Sequence, residues 1–186
     1  MSQSQLQPRL VGETLVLRGL TPEDGPALFA VASDREIWAV HPAHDRWQEP
    51  VFRRFFADAL ESGGALIVED ARTGEVIGSS RYDARRANPG EIEIGWTFLA
   101  RKHWGGATNA EMKRLMLAHA LQFVERVIFI VGEDNLRSRR AMAKVGARLT
   151  DRTYEIEMAG RLARHVIFAI DREDFANGLQ KRYPVA

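Results

Sequence analysis

The sequence predicts an α+β domain with a mixed sheet, and three observations support that fold class. Short apolar runs bounded by Gly- and Pro-containing turns are typical of strands. Longer segments with apolar residues three and four positions apart are typical of helices. A strand, a helix and a second strand follow one another at 91–98, 108–123 and 127–131, and this order predicts a crossover connection.

Composition indicates one globular domain. The 186 residues are 45% hydrophobic and 27% charged, which is enough apolar material for a sizeable core. We expect short tails at 1–7 and 181–186, the first of them disordered, and a single domain over 8–180.

Charge and cysteine content exclude several classes of function. The 26 basic and 25 acidic residues give a net charge of +1, so no overall field attracts nucleic acid or an acidic membrane. The absence of cysteine excludes disulfides, thiolate metal ligands and a cysteine nucleophile. No segment approaches the roughly 20 apolar residues that span a bilayer, and 1–7 lack the apolar core of a secretory signal. We therefore expect a cytoplasmic protein without membrane or nucleic-acid partners.

The first half of the chain predicts a strand, two helices and a meander. Leu15 and Leu17 lie in a β-prone run, after which Thr21 and Pro22 begin a helix, since Thr caps well and Pro suits the first helical position. An irregular loop at 37–50 precedes a second helix. The remaining elements are the helix at 51–60 and strands at 65–69, 76–82 and 91–98, separated by turns at 72–74 and 88–90.

The second half of the chain contains the segment that we predict to be a central strand of the sheet. The helix at 108–123 shows one apolar face, and the run at 127–131 is apolar without alternation, as in a strand buried on both faces. A helix at 135–145 then ends at Gly146. A closing hairpin pairs 154–158 with 165–170 around Ala159-Gly160.

A Gly-rich loop before the helix at 108 predicts an anion site. Gly105 and Gly106 have no Cβ, so main-chain N–H groups can approach phosphate oxygens beside the positive end of the helix. Thr108 and Glu111 have the spacing of a capping box, which places the helix start. Arg101 and Lys102 add cations. The alternative is a purely structural glycine turn.

A second motif follows the buried strand. Asn135, Ser138 and Arg139 lie at the start of the next helix, and Arg137 and Arg140 extend a basic cluster there. Ser138 is also a plausible helix cap, Asn135 a turn residue and the arginines a solvated face. Those alternatives stay open at the level of the sequence.

With these two motifs the chain resembles the GNAT N-acetyltransferases, most closely the branch of the ribosomal-protein-alanine acetyltransferases. The segment from Lys102 to Ala107 matches the Arg/Gln-x-x-Gly-x-Gly/Ala pyrophosphate loop, and Asn135-x-x-Ser138 with Gly146-Ala147 matches the second cofactor-side motif of the branch. The resemblance covers nearly the whole chain. It implies a GNAT-like mixed, splayed central sheet flanked by helices, with the splay near 93–99.

The resemblance also implies an activity and its cofactor. The expected reaction is direct transfer of an acetyl group from acetyl-CoA, or another short acyl-CoA, to a primary amine of a protein N-terminus or a small molecule. The implied cofactor-binding residues are Thr97, Phe98, Leu99, Lys102, His103, Trp104, Gly105, Gly106, Ala107, Thr108, Asn109, Asn135, Ser138 and Arg139. Thr97 to Leu99 would act through their main-chain N–H groups.

Some positions depart from the family pattern. Lys102 replaces the usual Arg or Gln, and Ala107 replaces the more frequent Gly. Many GNAT enzymes have a tyrosine general acid seven residues after the motif asparagine, where this chain has Met142. In the resembling branch a serine takes that role, and Ser138 occupies its place. The alternative function is a catalytically inactive acyl-CoA-binding domain.

Candidate catalytic and acceptor residues come from two further segments. Glu91 and Glu93 alternate with isoleucines and share one side of a strand, and Glu93, nearer the splay, is the candidate base; an exposed polar face is the alternative. The irregular loop supplies the candidate acceptor residues Trp38, His41, Arg46 and Trp47, with surface packing as the alternative.

Two other kinds of site are disfavoured by the sequence. His, Asp and Glu residues do not show metal-ligand spacing, so no metal is expected. The glycine loop lacks the Gly-Lys-Ser/Thr ending of a nucleotide-binding P-loop. The sequence does not decide whether the protein forms a homodimer.

Overall fold

The computed structural model describes residues 1–182 and has an eight-stranded sheet flanked by helices. Residues 183–186 of the expected C-terminal tail lie outside the described residues. The strands are β1 (Leu10–Val11), β2 (Leu15–Gly19), β3 (Ala65–Asp70), β4 (Val76–Asp83), β5 (Glu91–Leu99), β6 (Arg126–Gly132), β7 (Arg148–Met158) and β8 (Arg161–Asp171). The helices are α1 (Gln3–Leu6), α2 (Gly25–Ala32), α3 (Glu49–Glu61), α4 (Thr108–Ala120), α5 (Leu136–Lys144) and α6 (Arg172–Arg182).

The sheet is mixed, with the strand order β1-β2-β3-β4-β5-β6-β8-β7. Among the described strands only the β5–β6 pair is parallel, and α4 connects these two strands, which confirms the predicted crossover. The pair is short, because its register runs only from Glu91 opposite Arg126 to Glu93 opposite Ile128. Beyond Glu93 the strands part, so the predicted splay near 93–99 is confirmed.

A bulge in β5 lies at the same place. The register against β4 shifts where Arg81 faces Gly95 but Ser79 faces Phe98, which leaves one extra residue on β5. Trp96 takes a positive φ of 51° there, a conformation that is uncommon for a residue with a side chain. Such a bulge bends its strand and turns side chains in new directions. It therefore shapes the gap that opens between β5 and β6.

Each face of the sheet has its own core. On one face α4 and α5 pack Met112, Met116 and Met142 against sheet residues that include Ile92 and Phe129. On the other face α2 and α3 pack against the sheet in a separate cluster. That second cluster includes Leu28, Ala32, Trp38, Phe52, Phe55, Ile67 and Phe98. Burial on both faces explains why β6 reads as a continuous apolar run.

The predicted capping box at the start of α4 is wrong. Ala107 is the N-cap residue and makes no side-chain cap hydrogen bond. The Glu111 carboxylate instead accepts from the Glu13 N–H and from the N–H and hydroxyl of Thr14. These donors lie in the β1–β2 turn, which approaches α4 only in the folded chain. The first-turn N–H groups of α4 therefore lack a side-chain cap.

The ends of the chain contain more regular structure than the sequence predicts. The closing hairpin extends over β7 and β8, and α6 follows it. Polar residues of β7 are largely exposed, so its pairing with β8 rather than an apolar pattern defines the strand. Within the segment expected to be a tail, the Gln5 carbonyl lies 2.7 Å from His119 Nε2 of α4. Among the described residues no helix is long and apolar enough to cross a membrane.

Candidate active site

A cleft of about 480 Å³ lies where β5 and β6 part. Its two ends differ in kind. The glycine end is formed by Gly105, Gly106, Asn109, Asn135 and Ser138, at the starts of α4 and α5. The bulge end is formed by His41, Arg46, Arg86, Glu93 and Trp96.

The glycine end presents free main-chain N–H groups. In the described part of the chain, no acceptor takes a hydrogen bond from the N–H groups of residues 105–110. Gly105 has a φ of 74°, which favours glycine, and a Cβ at Gly105 or Gly106 would meet nothing within 4 Å. The loop is therefore open to the cleft. Unpaired N–H groups at a helix N-terminus bind phosphate oxygens.

Basic side chains surround the glycine end. Arg137, Arg140 and Lys144 line the cleft, and the Arg137 guanidinium lies 4.0 Å from the ring centre of Trp104. Two other basic residues that were predicted to bind the cofactor do not line the cleft. Lys102 pairs with Glu75 at 2.7 Å, and Arg139 donates to the Glu133 carbonyl at 3.0 Å. The cationic wall therefore comes from one face of α5 rather than from the loop.

The start of α5 separates the roles of two predicted residues. Asn135 is buried, and its side-chain oxygen accepts from the Ser138 N–H at 3.1 Å. Asn135 is thus the helix cap. The Ser138 hydroxyl makes no hydrogen bond to another described residue and lines the cleft. It is free to contact a ligand. Met142 is buried and also lines the cleft.

Glu93 is the only carboxylate lining the cleft among the described residues. Its side chain is 0% exposed, which excludes the alternative of an exposed polar strand face. Arg86 holds both of its oxygens, at 3.0 Å from Nε and 2.6 Å from Nη2. Burial raises the pKa of Glu93 to about 7, against the opposing effect of Arg86. Such a carboxyl can take up and release a proton near neutral pH.

Lys113 is a site residue that the sequence analysis missed. It is buried on α4, lines the cleft and donates to Thr97 Oγ1 at 2.6 Å. Ser80 Oγ lies 2.7 Å from the same hydroxyl. Burial lowers the pKa of Lys113 to about 7. Its four-residue spacing from Asn109 places both on one helix face, which is the signal that could have identified it.

The structure brings most of the predicted residues to the cleft. Those that line it are His41, Arg46, Glu93, Thr97, Leu99, His103, Trp104, Gly105, Gly106, Asn109, Asn135 and Ser138. The side chains that do not line it are those of Trp38, Trp47, Phe98, Lys102, Ala107, Thr108 and Arg139. Phe98 packs in the core with its ring centre 5.1 Å from that of Trp38. Only its main chain remains available for the predicted role.

The predicted acceptor loop is divided between the core and the cleft. Trp38 is 1% exposed, donates from Nε1 to the Ala32 carbonyl at 2.7 Å and belongs to the α2–α3 core. Trp47 packs against the same core. Large aromatic surfaces are strongly favoured in a core, which explains both positions. His41 and Arg46 do face the cleft.

Arg86 and Trp96 at the bulge end were not predicted either. The Arg86 guanidinium lies 4.4 Å from the ring centre of Trp96, and Arg81 lies at the same distance. His165 of β8 completes this wall and is buried. These residues come from three strands and the segment after β4, so no local motif marks them. Within the described residues, no group of three or more His, Asp and Glu could hold a metal ion.

Comparison with known proteins identifies the family. The model of the acetyltransferase (GNAT) domain matches residues 14–148. A GCN5-related N-acetyltransferase from Brucella melitensis is 20% identical with a TM-score of 0.78, over 91% of this chain and 81% of that chain. No sequence among the curated proteins matches.

Two further solved structures share the fold. Mycobacterium smegmatis RimJ in complex with CoA-disulfide is 18% identical with a TM-score of 0.68, over 97% of this chain and 90% of that one. The spermidine N-acetyltransferase from Vibrio cholerae in complex with CoA and spermine is 15% identical with a TM-score of 0.69, over 89% of this chain and 100% of that one. The splayed sheet and the glycine end fit this fold. The chain therefore belongs to the acetyltransferase (GNAT) domain family and is an acetyl-CoA-dependent N-acetyltransferase.

Proposed function

We propose that this enzyme acetylates a primary amine by direct attack, with Glu93 as the general base. One observation carries the proposal: a fully buried carboxylate with a pKa of about 7 lines the cleft where the strands part. An attacking amine must lose a proton, and a carboxyl of this pKa accepts one at neutral pH. Arg86 keeps its two oxygens oriented.

The glycine end would hold the phosphates of acetyl-CoA. The free N–H groups of residues 105–110 suit the pyrophosphate, and Arg137, Arg140 and Lys144 supply cations for further phosphate oxygens. Acetyl-CoA supplies an activated acetyl thioester. Beyond Glu93, no described strand pairs with β5 on its β6 side, so peptide groups near 97–99 can bind the pantetheine arm and polarise the carbonyl.

Two protons have to move, and the cleft offers a group for each. A Glu93 carboxylate oxygen would receive the amine proton, directly or through water. The Ser138 hydroxyl, which is free of other hydrogen bonds to described residues, would donate a proton to the departing sulfur and regain one from solvent, while Glu93 returns the amine proton to solvent. Met142 cannot take that role, because a thioether has no proton to donate.

The open cleft, with Glu93 as its base, suits both a protein N-terminus and a small-molecule amine as the acceptor. The Vibrio cholerae structure was solved with spermine, a polycation. The bulge end of this chain carries Arg46 and Arg86 but only Glu93 as a carboxylate. The net positive charge of the bulge end repels a polyamine, so we favour primary amines other than polyamines as the acceptor.

The test is release of CoA thiol from acetyl-CoA with a panel of primary amines. Glu93→Gln should lower kcat about 10²- to 10⁴-fold, the usual contribution of a general base, while the Kd for CoA stays unchanged. Glu91→Gln is the matched control on the same strand, because its side chain pairs with Arg152 and Arg126 instead of lining the cleft.

The outcomes separate the proposal from its rival. Wild-type protein that binds CoA but releases no thiol with any amine would support the alternative of an inactive acyl-CoA-binding domain. Equal activity of Glu93→Gln and wild type would remove Glu93 as the base and leave the family assignment intact.

A further inference from the structure

Arg46 is a buried cation without an ion-pair partner among the described residues. Its residue surface is 8% exposed, and no described carboxylate lies within 4.0 Å of its guanidinium. It packs instead on aromatic faces, 4.4 Å from the ring centre of Phe55 and 5.0 Å from that of Trp38. Taking a charge out of water without a counter-charge is costly.

The neighbouring charges do not neutralise Arg46. Burial and the nearby Arg81 lower the pKa of Arg46 to about 10, and Asp45 and Asp58 only partly oppose this. Asp58 is itself bonded to Arg81 and Arg85. Arg46 therefore keeps its proton at neutral pH and has no ion-pair partner among the described residues.

Arg46 faces the same cleft as Glu93, the proposed base. It lines the cleft together with Glu93, and with Trp96 it also lines an adjoining cavity that extends to Met158 and Gly160. Arg86, the other arginine of the bulge end, is already paired with Glu93. The imidazole of His41 is neutral, because burial and nearby cations lower its pKa to about 3. Of the two arginines at this end, Arg46 is thus the one without a carboxylate partner in the described part of the chain.

Resting on the proposed function, we propose that the acceptor is a primary amine that also carries a carboxylate, which Arg46 binds while Glu93 receives the amine proton. A guanidinium presents paired N–H donors that match the two oxygens of a carboxylate. Binding would supply the missing counter-charge in a setting shielded from water, where ion pairs are strong. The carboxylate is either that of a free amino acid or that of an acidic side chain near a peptide N-terminus.

Two matched acceptor pairs test the proposal and distinguish these sources. One pair is a free amino acid and its amide, and the other is a short peptide with Asp at its second position and the same peptide with Asn. For at least one pair, wild type should show a kcat/KM about tenfold to a hundredfold higher for the charged member, the usual range for a charged hydrogen bond. The pair that shows the preference identifies the source.

Arg46→Gln should abolish that preference, mainly by raising KM for the charged members. Arg35→Gln is the matched control, since Arg35 also stacks on an aromatic ring, that of Trp47, but does not line the cleft. It should retain the preference. Arg46→Lys keeps the charge without the paired donors and should retain part of it.

Calorimetry gives a readout that does not depend on turnover. N-acetylglycine, titrated into the CoA-saturated protein, should bind wild type more tightly than N-acetylglycinamide does, and this difference should vanish in Arg46→Gln. The assignment would be overturned if wild type used or bound both members of every pair equally well. It would also be overturned if the preference survived in Arg46→Gln. If no amine is acetylated, the proposed function fails, and the same titration still decides whether Arg46 binds a carboxylate.

Discussion

The two ends of the cleft offer different kinds of binding group. The glycine end presents main-chain N–H groups of one short segment, residues 105–110, together with side chains of the next helix. The bulge end uses side chains from the segment before α3, the β4–β5 connection and β5, with His165 of β8 completing its wall. A site made of consecutive main-chain groups is preserved wherever its turn forms, whereas a site made of distant side chains depends on the whole fold.

The ends also differ in their response to pH. Peptide N–H groups do not titrate, but burial raises the pKa of Glu93, at the bulge end, to about 7. Conditions that change ionisation should therefore alter chemistry at the bulge end without altering CoA binding by the main chain. This difference can be tested by changing one end at a time.

The largest expected effect is that of pH on catalysis. The base acts as a carboxylate, so kcat/KM should rise with pH up to about 7 and change about tenfold per unit well below it. The Kd for CoA, measured by calorimetry over pH 6 to 8, should stay nearly constant. The direction follows from burial, which raises the pKa of Glu93 above its ordinary value of 4.5.

Glu93→Gln should remove this inflection from the residual activity. Retention of the inflection would assign it to another group, and Lys113 is the candidate, since burial lowers its pKa into the same range. Lys113→Met would then identify it.

The converse experiment changes the glycine end. Gly105→Ala forces an alanine into a φ of 74°, at a cost of roughly 1–2 kcal/mol. The loop must either bear that cost or shift its N–H groups, and we expect CoA to bind about tenfold more weakly.

Gly74→Ala is the control for that change. Gly74 has a φ of 71° in the β3–β4 turn, away from the cleft, and its Cβ would also meet open space. Both variants should lose similar free energy of unfolding in urea, but only Gly105→Ala should weaken CoA binding. Equal CoA affinity of the two would contradict the role of the loop.

The smallest expected effect is at Ser138, which lies at the glycine end. In Ser138→Ala a solvent water takes over protonation of the departing sulfur and one neutral hydrogen bond, worth about 1 kcal/mol, is lost, so kcat should fall about fivefold. The Tm should not change, because Asn135 rather than Ser138 caps α5. A fall in Tm together with unchanged kcat would show that the hydroxyl is structural.

Several features could be predicted because they depend on neighbours in the chain. The strand before the glycine loop, the helix after it and the buried run of β6 all have local patterns. The predicted capping box was wrong because of a contact between residues far apart in the chain. The Glu111 carboxylate accepts hydrogen bonds from N–H groups of the β1–β2 turn. Residue spacing alone does not reveal a competing donor brought in by folding.

Trp38 and Arg46 show what only the fold decides. Both belong to one irregular loop that reads as a binding surface, yet Trp38 lies in the α2–α3 core and Arg46 lines the cleft. Arg86 reaches Glu93 across the β4–β5 turn, and Lys113 points inward from a helix that reads as amphipathic. The two motifs indicated the family, and the sheet, its crossover and the glycine turn before α4 could be predicted because they follow from local conformation. The side chains that meet at the bulge end could not be predicted, because burial and pairing depend on residues far apart in the chain.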